Sequence, residues 1–311
     1  MTRLFKAVQE YLTMRYQLGY KLRRATSVLK GFAAYAKQKK VSHITTKVAL
    51  EYTTQNRNAA PPSWASRLGI IRRFALHMRL LDPLTEVPPP YLLPYSYPRK
   101  SPYIYSENDI LKMLESCNIL SNHPLDAKTY YTLLGLIAVT GMRPGEVLNL
   151  KRDSVDMSLG IITILDSKFR KTRKIPVHKS TIKVLQEYVK LRDLNFRKKI
   201  APYFFVDERG HGLQAGTVRS IFAKICTQAG LRNKGKHAGS RSPRLMGFRH
   251  TFAIKTLVRC YQNDLNVDIV MPILSMYLGH ENPIHTYWYL SATPKLFSLI
   301  NARLEKKFGG K

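Results

Sequence analysis

The sequence has few cysteines, few acidic side chains and no long apolar stretch. Its three cysteines, Cys117, Cys226 and Cys260, are far apart and form no CxxC pair. This pattern is typical of a reducing compartment, so we expect cysteines that serve as core residues and no cysteine-based zinc site. A membrane-spanning helix needs about 20 consecutive apolar residues, and no run approaches that length. We also expect no N-terminal signal peptide and no membrane association.

The scarcity of acidic residues leaves a large positive charge. The chain has 311 residues, of which 51 are Lys or Arg and 20 are Asp or Glu, so the formal net charge is +31. Such a charge favours a polyanionic partner, and nucleic acid is the first candidate. An anionic membrane surface is the second, but the basic amphipathic helix or lipidation signal that it needs is not evident. Residues 1–98 contain 16 basic and 4 acidic residues, so both halves of the chain are basic and are expected to contact phosphate groups.

The length suits two domains. Apolar residues at helical spacing predict four helices within residues 1–82, and the fourth is expected to start after the Pro-Pro pair at 61–62 with Ser63 as its N-cap. Six prolines then punctuate a short segment, which predicts an extended and stiff linker. The predicted organisation is a helical domain over 1–85, a linker over 86–102 and a second domain over 103–311.

The second domain is predicted to be mostly helical with one small antiparallel sheet. β-branched runs at 161–165 and 174–177, joined by a basic turn at 167–173, predict a pair of strands. Helical spacing covers most of the remaining sequence. The predicted fold class is therefore mainly α (α+β).

Five short segments contain the residue types that phosphate chemistry uses. They are TGMRPGEVLNL at 140–150, DSKFRKTRKIPV at 166–177, PRLMGFRHTFA at 243–253, LGH at 278–280 and TYWY at 286–289. An arginine beside Pro144, at the start of a helix, would face an anion together with backbone N–H groups. Taken one at a time, the segments have structural explanations: a surface arginine, a solvated basic turn, a structural histidine and a core tyrosine.

Taken together and in this order, the segments resemble the tyrosine recombinase family, also called the lambda-integrase family. The family pattern is an arginine in a T-G-x-R-x-x-E-x-x-x-L box, a hairpin lysine, an H-x-x-R-H box, L-G-H, and a tyrosine nine residues beyond that histidine. The matching residues here are Arg143, Lys168, Arg249, His280 and Tyr289. The resemblance covers about residues 103–300, and the helical first domain is similar in length and character to the family's DNA-binding core-binding domain.

The resemblance implies a recombinase that cleaves and rejoins DNA strands without a metal or a cofactor. Tyr289 would attack a backbone phosphorus and form a 3′-phosphotyrosyl link, which a 5′-hydroxyl of another strand would later attack. Arg143 and Arg249 would hold the non-bridging oxygens of the phosphate. Lys168 would protonate the departing 5′-oxygen. His280 would donate to the phosphate or assist the tyrosine.

One position departs from the family pattern. Met246 stands where the family usually has a histidine, three residues before the second arginine, and a thioether cannot exchange a proton as imidazole does. One hypothesis is that cleavage is slower, or that His250 or a water takes the phenolic proton; the alternative is a subfamily that tolerates other residues here. Glu146 is expected to brace Arg143. Tyr287 is a competing nucleophile, and the spacing favours Tyr289.

Further DNA contacts are predicted from basic residues of the fourth helix and of the hairpin: Arg67, Arg72, Arg73, Arg170, Lys171 and Arg173. The resemblance implies double-stranded DNA as partner and a tetramer on two DNA sites, formed by this chain alone or with sister recombinases. It also implies a cytoplasmic, nucleoid-associated protein that acts in integration, excision or transposition of a mobile element. The last helix would dock on a neighbouring protomer or pack on its own domain.

Two alternatives stand beside the recombinase. The first is a catalytically weak accessory subunit or repressor on the same fold, which Met246 favours and the other motif residues oppose. The second is an RNA-binding or structural basic protein, which gives no reason for the ordered arginine, histidine and tyrosine boxes.

Overall fold

The chain divides into two compact units, Met1–Arg99 and Lys100–Lys311. A computed structural model describes residues 3–95, 101–119, 123–165, 172–196, 201–232, 242–291 and 294–308. Each unit has its own hydrophobic core.

The first unit is a helical bundle. Its helices are α1 (Arg3–Gln17), α2 (Arg23–Gln38), α3 (Thr46–Thr54) and α4 (Pro61–Met78). Each helix directs an apolar stripe inward, and Phe32 and Phe74 are fully buried in the shared core. Val87 and Leu93 pack against the same core, so this unit extends past residue 85.

The predicted N-cap of α4, Ser63, lies three residues after the observed one. The helix begins at Pro61 with Ala60 as its N-cap, and Ser63 lies inside the first turn. Proline is favourable at the first helical position, because the N–H group that it lacks would have no partner there.

The second unit is mostly helical. Its helices are α5 (Glu107–Ile119), α6 (Pro124–Thr140), α7 (Pro144–Leu148), α8 (Lys179–Asn195), α9 (Ala215–Gln228), α10 (Leu245–Gln262), α11 (Val267–Leu278), α12 (Ile284–Tyr287) and α13 (Pro294–Phe308). Two 3-10 turns, Arg152–Ser154 and Trp288–Ser291, interrupt the connections. Ser106 and Asp109 cap α5 reciprocally, each side chain accepting a hydrogen bond from the other's backbone N–H.

Within the described residues of the second unit, three strands form an antiparallel sheet. These are β1 (Val155–Asp156), β2 (Ile161–Ile164) and β3 (Arg173–Pro176), in the order β1-β2-β3. Ile162 of β2 lies opposite Ile175 of β3, and both side chains are fully buried. The predicted pair corresponds to β2 and β3, and a short third strand, β1, pairs with β2 on its other edge. The predicted fold class, mainly α with a small antiparallel sheet, is confirmed.

Two apolar clusters hold the second unit together. The larger surrounds α6, which is apolar around most of its circumference because it contacts α5, α8 and α10. The smaller joins α10, α11 and α13 and includes Leu257, Leu274 and Leu296. Because Leu296 is fully buried there, the last helix packs on its own unit.

Among the described residues, no helix combines the length and the apolar character needed to cross a bilayer. Cys117, Cys226 and Cys260 are buried and free, as the sequence predicts.

Candidate active site

The first arginine box forms a tight link between two helices. Gly141 ends α6 in the left-handed conformation with φ of 61°, and a Cβ at this position would lie 2.7 Å from a ring carbon of Phe252. Arg143 follows as the N-cap of α7, and Pro144 occupies the first helical position. Glu146, three residues after the cap, accepts a hydrogen bond from the backbone N–H of Arg143 at 2.8 Å. The local sequence thus fixes the backbone from which the Arg143 side chain extends.

Glu146 is the acceptor for two arginines. Its carboxylate accepts from Arg143 Nη1 at 2.8 Å, and from Arg173 Nη1 and Nη2 at 3.0 and 2.7 Å. Burial alone would raise the pKa of this carboxyl group. The bonds and charges of Arg173 and Arg143 outweigh burial, so the pKa of Glu146 lies below its ordinary value. The carboxylate is therefore ionised at neutral pH.

Three arginines meet at the C-terminal end of α11. Arg173 Nε donates to the carbonyl of Tyr277, an Arg249 Nη to that of Leu278, and an Arg143 Nη to that of Gly279. The last carbonyls of a helix have no partner within the helix and lie at the negative end of its dipole. This end of α11 therefore provides acceptors for cations that would otherwise repel one another.

Gly279 makes this arrangement possible. It adopts the left-handed conformation with φ of 66°, and the backbone N–H of His280 closes the helix end on the carbonyl of Ser275. A Cβ on Gly279 would lie 2.8 Å from Arg173 Nη1. Glycine is needed here both for the backbone conformation and for the space that the guanidinium occupies.

Arg249 is a buried cation, with its side chain 2% exposed. Its second hydrogen bond goes from Nη1 to the carbonyl of Gly141 at 3.0 Å. Burial, and then the charge of Arg143, lower the pKa of Arg249 to about 10. The group still holds its proton at neutral pH.

His280 is held as a neutral imidazole. Its Nδ1 shares a hydrogen bond of 2.7 Å with Thr286 Oγ1. Burial, followed by the charges of Arg249 and Arg143, lowers the pKa of His280 to about 4. A neutral imidazole has one N–H donor and one acceptor nitrogen, so the hydrogen bond with Thr286 determines which role the second nitrogen takes.

Tyr289 lies at the centre of these groups. It sits in the 3-10 turn after α12, is 2% exposed, and its hydroxyl is hydrogen-bonded to Arg249. Its ring is nearly parallel to that of His280, with centroids 6.3 Å apart. Burial raises the pKa of Tyr289, whereas the charges of Arg249 and Arg143 oppose that rise. Tyr287, the competing tyrosine, is 47% exposed, whereas Tyr289 is buried.

The remaining predicted residues fall into three places. Met246 is 40% exposed in the first turn of α10. The ring of His250 lies 5.7 Å from that of Tyr289. Lys168, Arg170 and Lys171 lie outside the described residues.

The predicted DNA contacts of α4 belong to the first unit. Arg73 is exposed, and Arg72 is partly buried. The guanidinium of Arg67 lies over the ring of Tyr52, 4.7 Å from its centroid.

Arg173 requires a revision. The expectation of a direct DNA contact rested on its place in a basic turn. The structure instead places its side chain at 10% exposure, with Nε, Nη1 and Nη2 all donating to protein acceptors. A guanidinium bound in this way has little surface left for DNA.

Two further contributors were not predicted. Thr286 belongs to the TYWY segment, from which only the tyrosines were predicted to act, and its hydroxyl is the hydrogen-bond partner of His280 Nδ1. The carbonyls of residues 277–279 leave no signal in the sequence beyond the glycine of Leu-Gly-His. In the described part of the chain, no three His, Cys, Asp or Glu side chains are grouped as metal ligands would be.

The second unit brings a buried tyrosine together with two arginines and a neutral histidine, and these groups could bind a phosphate. Comparison with known proteins identifies the family. The model of the phage integrase family matches residues 105–295. The chain therefore belongs to the phage integrase family, the tyrosine recombinases, as its motifs predict.

Relatives and a solved structure agree with this assignment. The "Putative integrase/recombinase y4rB" of Sinorhizobium fredii is 39% identical over 313 residues, which cover 99% of each chain. The "Tyrosine recombinase XerD" of Staphylococcus saprophyticus is 24% identical and covers 84% of each. A structure of the Tn1549 transposon integrase in complex with transposon right end DNA covers 100% of both chains, with a TM-score of 0.64 and 14% identity, which shows a shared fold.

Proposed function

We propose that this chain is a site-specific DNA recombinase that cleaves and rejoins strands through a 3′-phosphotyrosyl intermediate on Tyr289. The main support is the convergence of two cationic guanidinium groups and a neutral imidazole on one tyrosine. The net charge of +31 favours a polyanionic substrate. The names of the relatives and the transposon DNA in the structural neighbour support integration, excision or transposition of a mobile element.

In the proposed cleavage step, the Tyr289 oxygen attacks a backbone phosphorus and the bond from phosphorus to the 5′-oxygen breaks. Lys168 gives a proton to the leaving 5′-oxygen, and His250 or a water takes the phenolic proton. In the second step, which reverses the first, a 5′-hydroxyl attacks the phosphotyrosyl phosphorus and gives its proton to Lys168, the bond from phosphorus to the Tyr289 oxygen breaks, and the tyrosine takes its proton back. The number of phosphate ester bonds is conserved, so no external energy source is needed.

Arg143 and Arg249 supply the fixed positive charge. Each has donors directed at the carbonyls of α11, and an entering phosphate would compete for or share those donors. Guanidinium groups bind two phosphate oxygens at once and stabilise the charge that grows in the transition state. Removing one such donor typically slows a reaction by about 10²–10³-fold.

His280 has a role that depends on its tautomer. If the hydroxyl of Thr286 donates to Nδ1, the ring proton is on Nε2, which then donates to a phosphate oxygen. Because the pKa of His280 is about 4, the imidazole is neutral at neutral pH, and its one N–H group can still donate.

Trapping on nicked DNA tests the proposal. A nick near the cleavage point lets the short product diffuse away, so a covalent complex accumulates. Candidate sites come from the flanks of the protein's own gene, and the reaction contains a chelator. Wild type and Tyr287→Phe should give a shifted band on a denaturing gel, and Tyr289→Phe should give none.

The other outcomes are equally informative. A band that disappears only in Tyr287→Phe would show that Tyr287, and not Tyr289, is the nucleophile. Tight, salt-sensitive binding with no band in wild type would support the accessory-subunit alternative. The mass of the complex on two joined sites tests for four protomers, and a requirement for a second purified recombinase would indicate a mixed assembly. We also propose that the protein acts in the cytoplasm at the nucleoid, because its substrate would be chromosomal or element DNA.

A further inference from the structure

Arg173 joins two parts of the active site that are distant in sequence. It is the first residue of β3, and its side chain is 10% exposed. Two of its nitrogens form a fork on the Glu146 carboxylate, at 3.0 and 2.7 Å, while its Nε donates to the Tyr277 carbonyl at 2.9 Å. A single guanidinium therefore links the first turn of α7 to the last turn of α11.

Both partners of Arg173 hold catalytic candidates. Glu146 accepts from the backbone and from the side chain of Arg143, each at 2.8 Å. The Tyr277 carbonyl is followed directly by those of Leu278 and Gly279, which accept from Arg249 and Arg143. A shift of Arg173 would therefore move the acceptors that hold the other two arginines.

The fit around Arg173 is close. A Cβ on Gly279 would lie 2.8 Å from its Nη1 and 3.1 Å from its Cζ. Lysine at position 173 would provide one point of donation in place of a planar fork, so it could not bind the carboxylate and the carbonyl in the same way. The geometry distinguishes arginine from a generic positive charge.

We propose that Arg173 is a positioning residue that sets the Arg143 guanidinium for the phosphate by holding Glu146 and the C-terminal end of α11 together. This inference rests on the proposed function. It replaces the expectation that Arg173 contacts DNA directly.

The test compares Arg173→Gln and Arg173→Lys with Lys174→Gln. Lys174 is the next residue of β3 and is exposed, so Lys174→Gln removes the same charge from the same strand. Single-turnover cleavage of nicked DNA and the affinity for the uncleaved site are measured over a range of salt. Arg173→Gln should slow cleavage by about 10–100-fold. This is the loss typical in metalloenzymes when a residue that orients a metal-binding side chain is removed, which is a comparable positioning role.

Binding separates the two roles. A residue that contacts a phosphate contributes about 0.9 to the slope of log affinity against log salt. A positioning role predicts that Arg173→Gln changes affinity and slope no more than Lys174→Gln does. A loss of about 0.9 in slope with an unchanged cleavage rate would overturn the proposal in favour of direct contact.

A double-mutant cycle tests the route through Glu146. If Arg173 acts on Arg143 through that carboxylate, Glu146→Gln should slow cleavage, and Arg173→Gln should add little in the Glu146→Gln background. Losses that multiply in full would overturn this route. Arg173→Lys, which retains the charge, should lie between wild type and Arg173→Gln; full activity in Arg173→Lys would contradict the need for a fork.

A readout independent of cleavage separates this inference from the proposed function. Carbon-13 NMR of the Glu146 carboxyl group follows its titration in the full-length protein. Three charged neighbours bind it or act on it through charge, namely Arg143 before α7, Arg173 on β3 and Arg249 on α10. Loss of Arg173 should raise the pKa of Glu146, because its bonds and charge hold that pKa down against burial.

The result of the NMR arm does not depend on DNA. If wild type fails to cleave while Arg173→Lys or Arg173→Gln shifts the Glu146 titration, the proposed function fails and the link between Arg173 and Glu146 stands. If wild type cleaves and neither variant moves the titration, Arg173 does not control this carboxylate and the inference is refuted. Arg173→Lys provides this result should Arg173→Gln fold poorly.

Discussion

Substitution of alanine for Gly279 should damage the protein more than the same change at Gly230. Both glycines follow a helix end and have positive φ, 66° at Gly279 and 71° at Gly230. An alanine in the left-handed region costs about 1–2 kcal/mol at either position. The two positions differ in their surroundings, because a Cβ on Gly230 meets no atom within 4 Å and one on Gly279 meets Arg173 at 2.8 Å.

The additional cost at Gly279 follows from how firmly its neighbour is held. Arg173 cannot move aside without weakening its hydrogen bonds to Glu146 and to the Tyr277 carbonyl. A hydrogen bond to a charged group contributes about 1.5–3 kcal/mol. Loss of one such bond, added to the backbone term, gives a destabilisation of about 2.5–5 kcal/mol for Gly279→Ala against about 1–2 kcal/mol for Gly230→Ala.

The chain offers a local reporter for this measurement. Its two tryptophans are Trp64 in α4 and Trp288 beside Tyr289. In a Trp64→Phe background, the fluorescence of Trp288 follows denaturant unfolding of the second unit alone. Cleavage of nicked DNA is measured on the same variants. Equal destabilisation by the two alanines, together with a wild-type cleavage rate in Gly279→Ala, would refute the claim that the guanidinium occupies this space.

Three further outcomes are expected. The pKa of His280 is about 4 in the folded protein and about 6.5 in an unfolded chain. The unfolded state therefore binds more protons between these values, and the free energy of unfolding falls as pH decreases from 6.5 to 4. In denaturant titrations, His280→Gln should lose less stability than wild type between pH 7.5 and 5. Phe32→Ala should destabilise the first unit by about 3–5 kcal/mol, as followed by Trp64 fluorescence in a Trp288→Phe background, because Phe32 is fully buried. Met246→His should keep or raise the single-turnover cleavage rate, since residue 246 is 40% exposed; a large loss of activity would contradict the hypothesis that the missing histidine limits the rate.

Local rules of sequence predicted much of the fold. The Ser106 and Asp109 pair marks the start of α5, and glycines mark the ends of α6 and α11, because these features depend on a few adjacent residues. The predicted start of α4 was wrong because proline is compatible both with a position before a helix and with the first helical position. The strand Val155–Asp156 was missed because two residues show no alternation.

The sequence could predict which residues belong to the candidate site, but not how they contact one another. The spacing from His280 to Tyr289 and the two arginine boxes identify the residues through the family pattern. The role of Arg173 could not be derived in the same way, because its acceptors Glu146 and Tyr277 are 27 and 104 residues away. A basic residue in a basic turn gives no local sign that it will be buried against a carboxylate.

The cap of α11 has a consequence for the order in which the protein is made. The arginines at 143, 173 and 249 all precede residues 277–279, whose carbonyls receive them, and two of these pairings span 136 and 104 residues. Ribosomes synthesise a chain from its N-terminus, so the cations leave the ribosome before their acceptors and before the tyrosine. An unfinished chain therefore contains basic surfaces without the assembled candidate active site, and the proposed cleavage activity requires the residues of the second unit that are synthesised last.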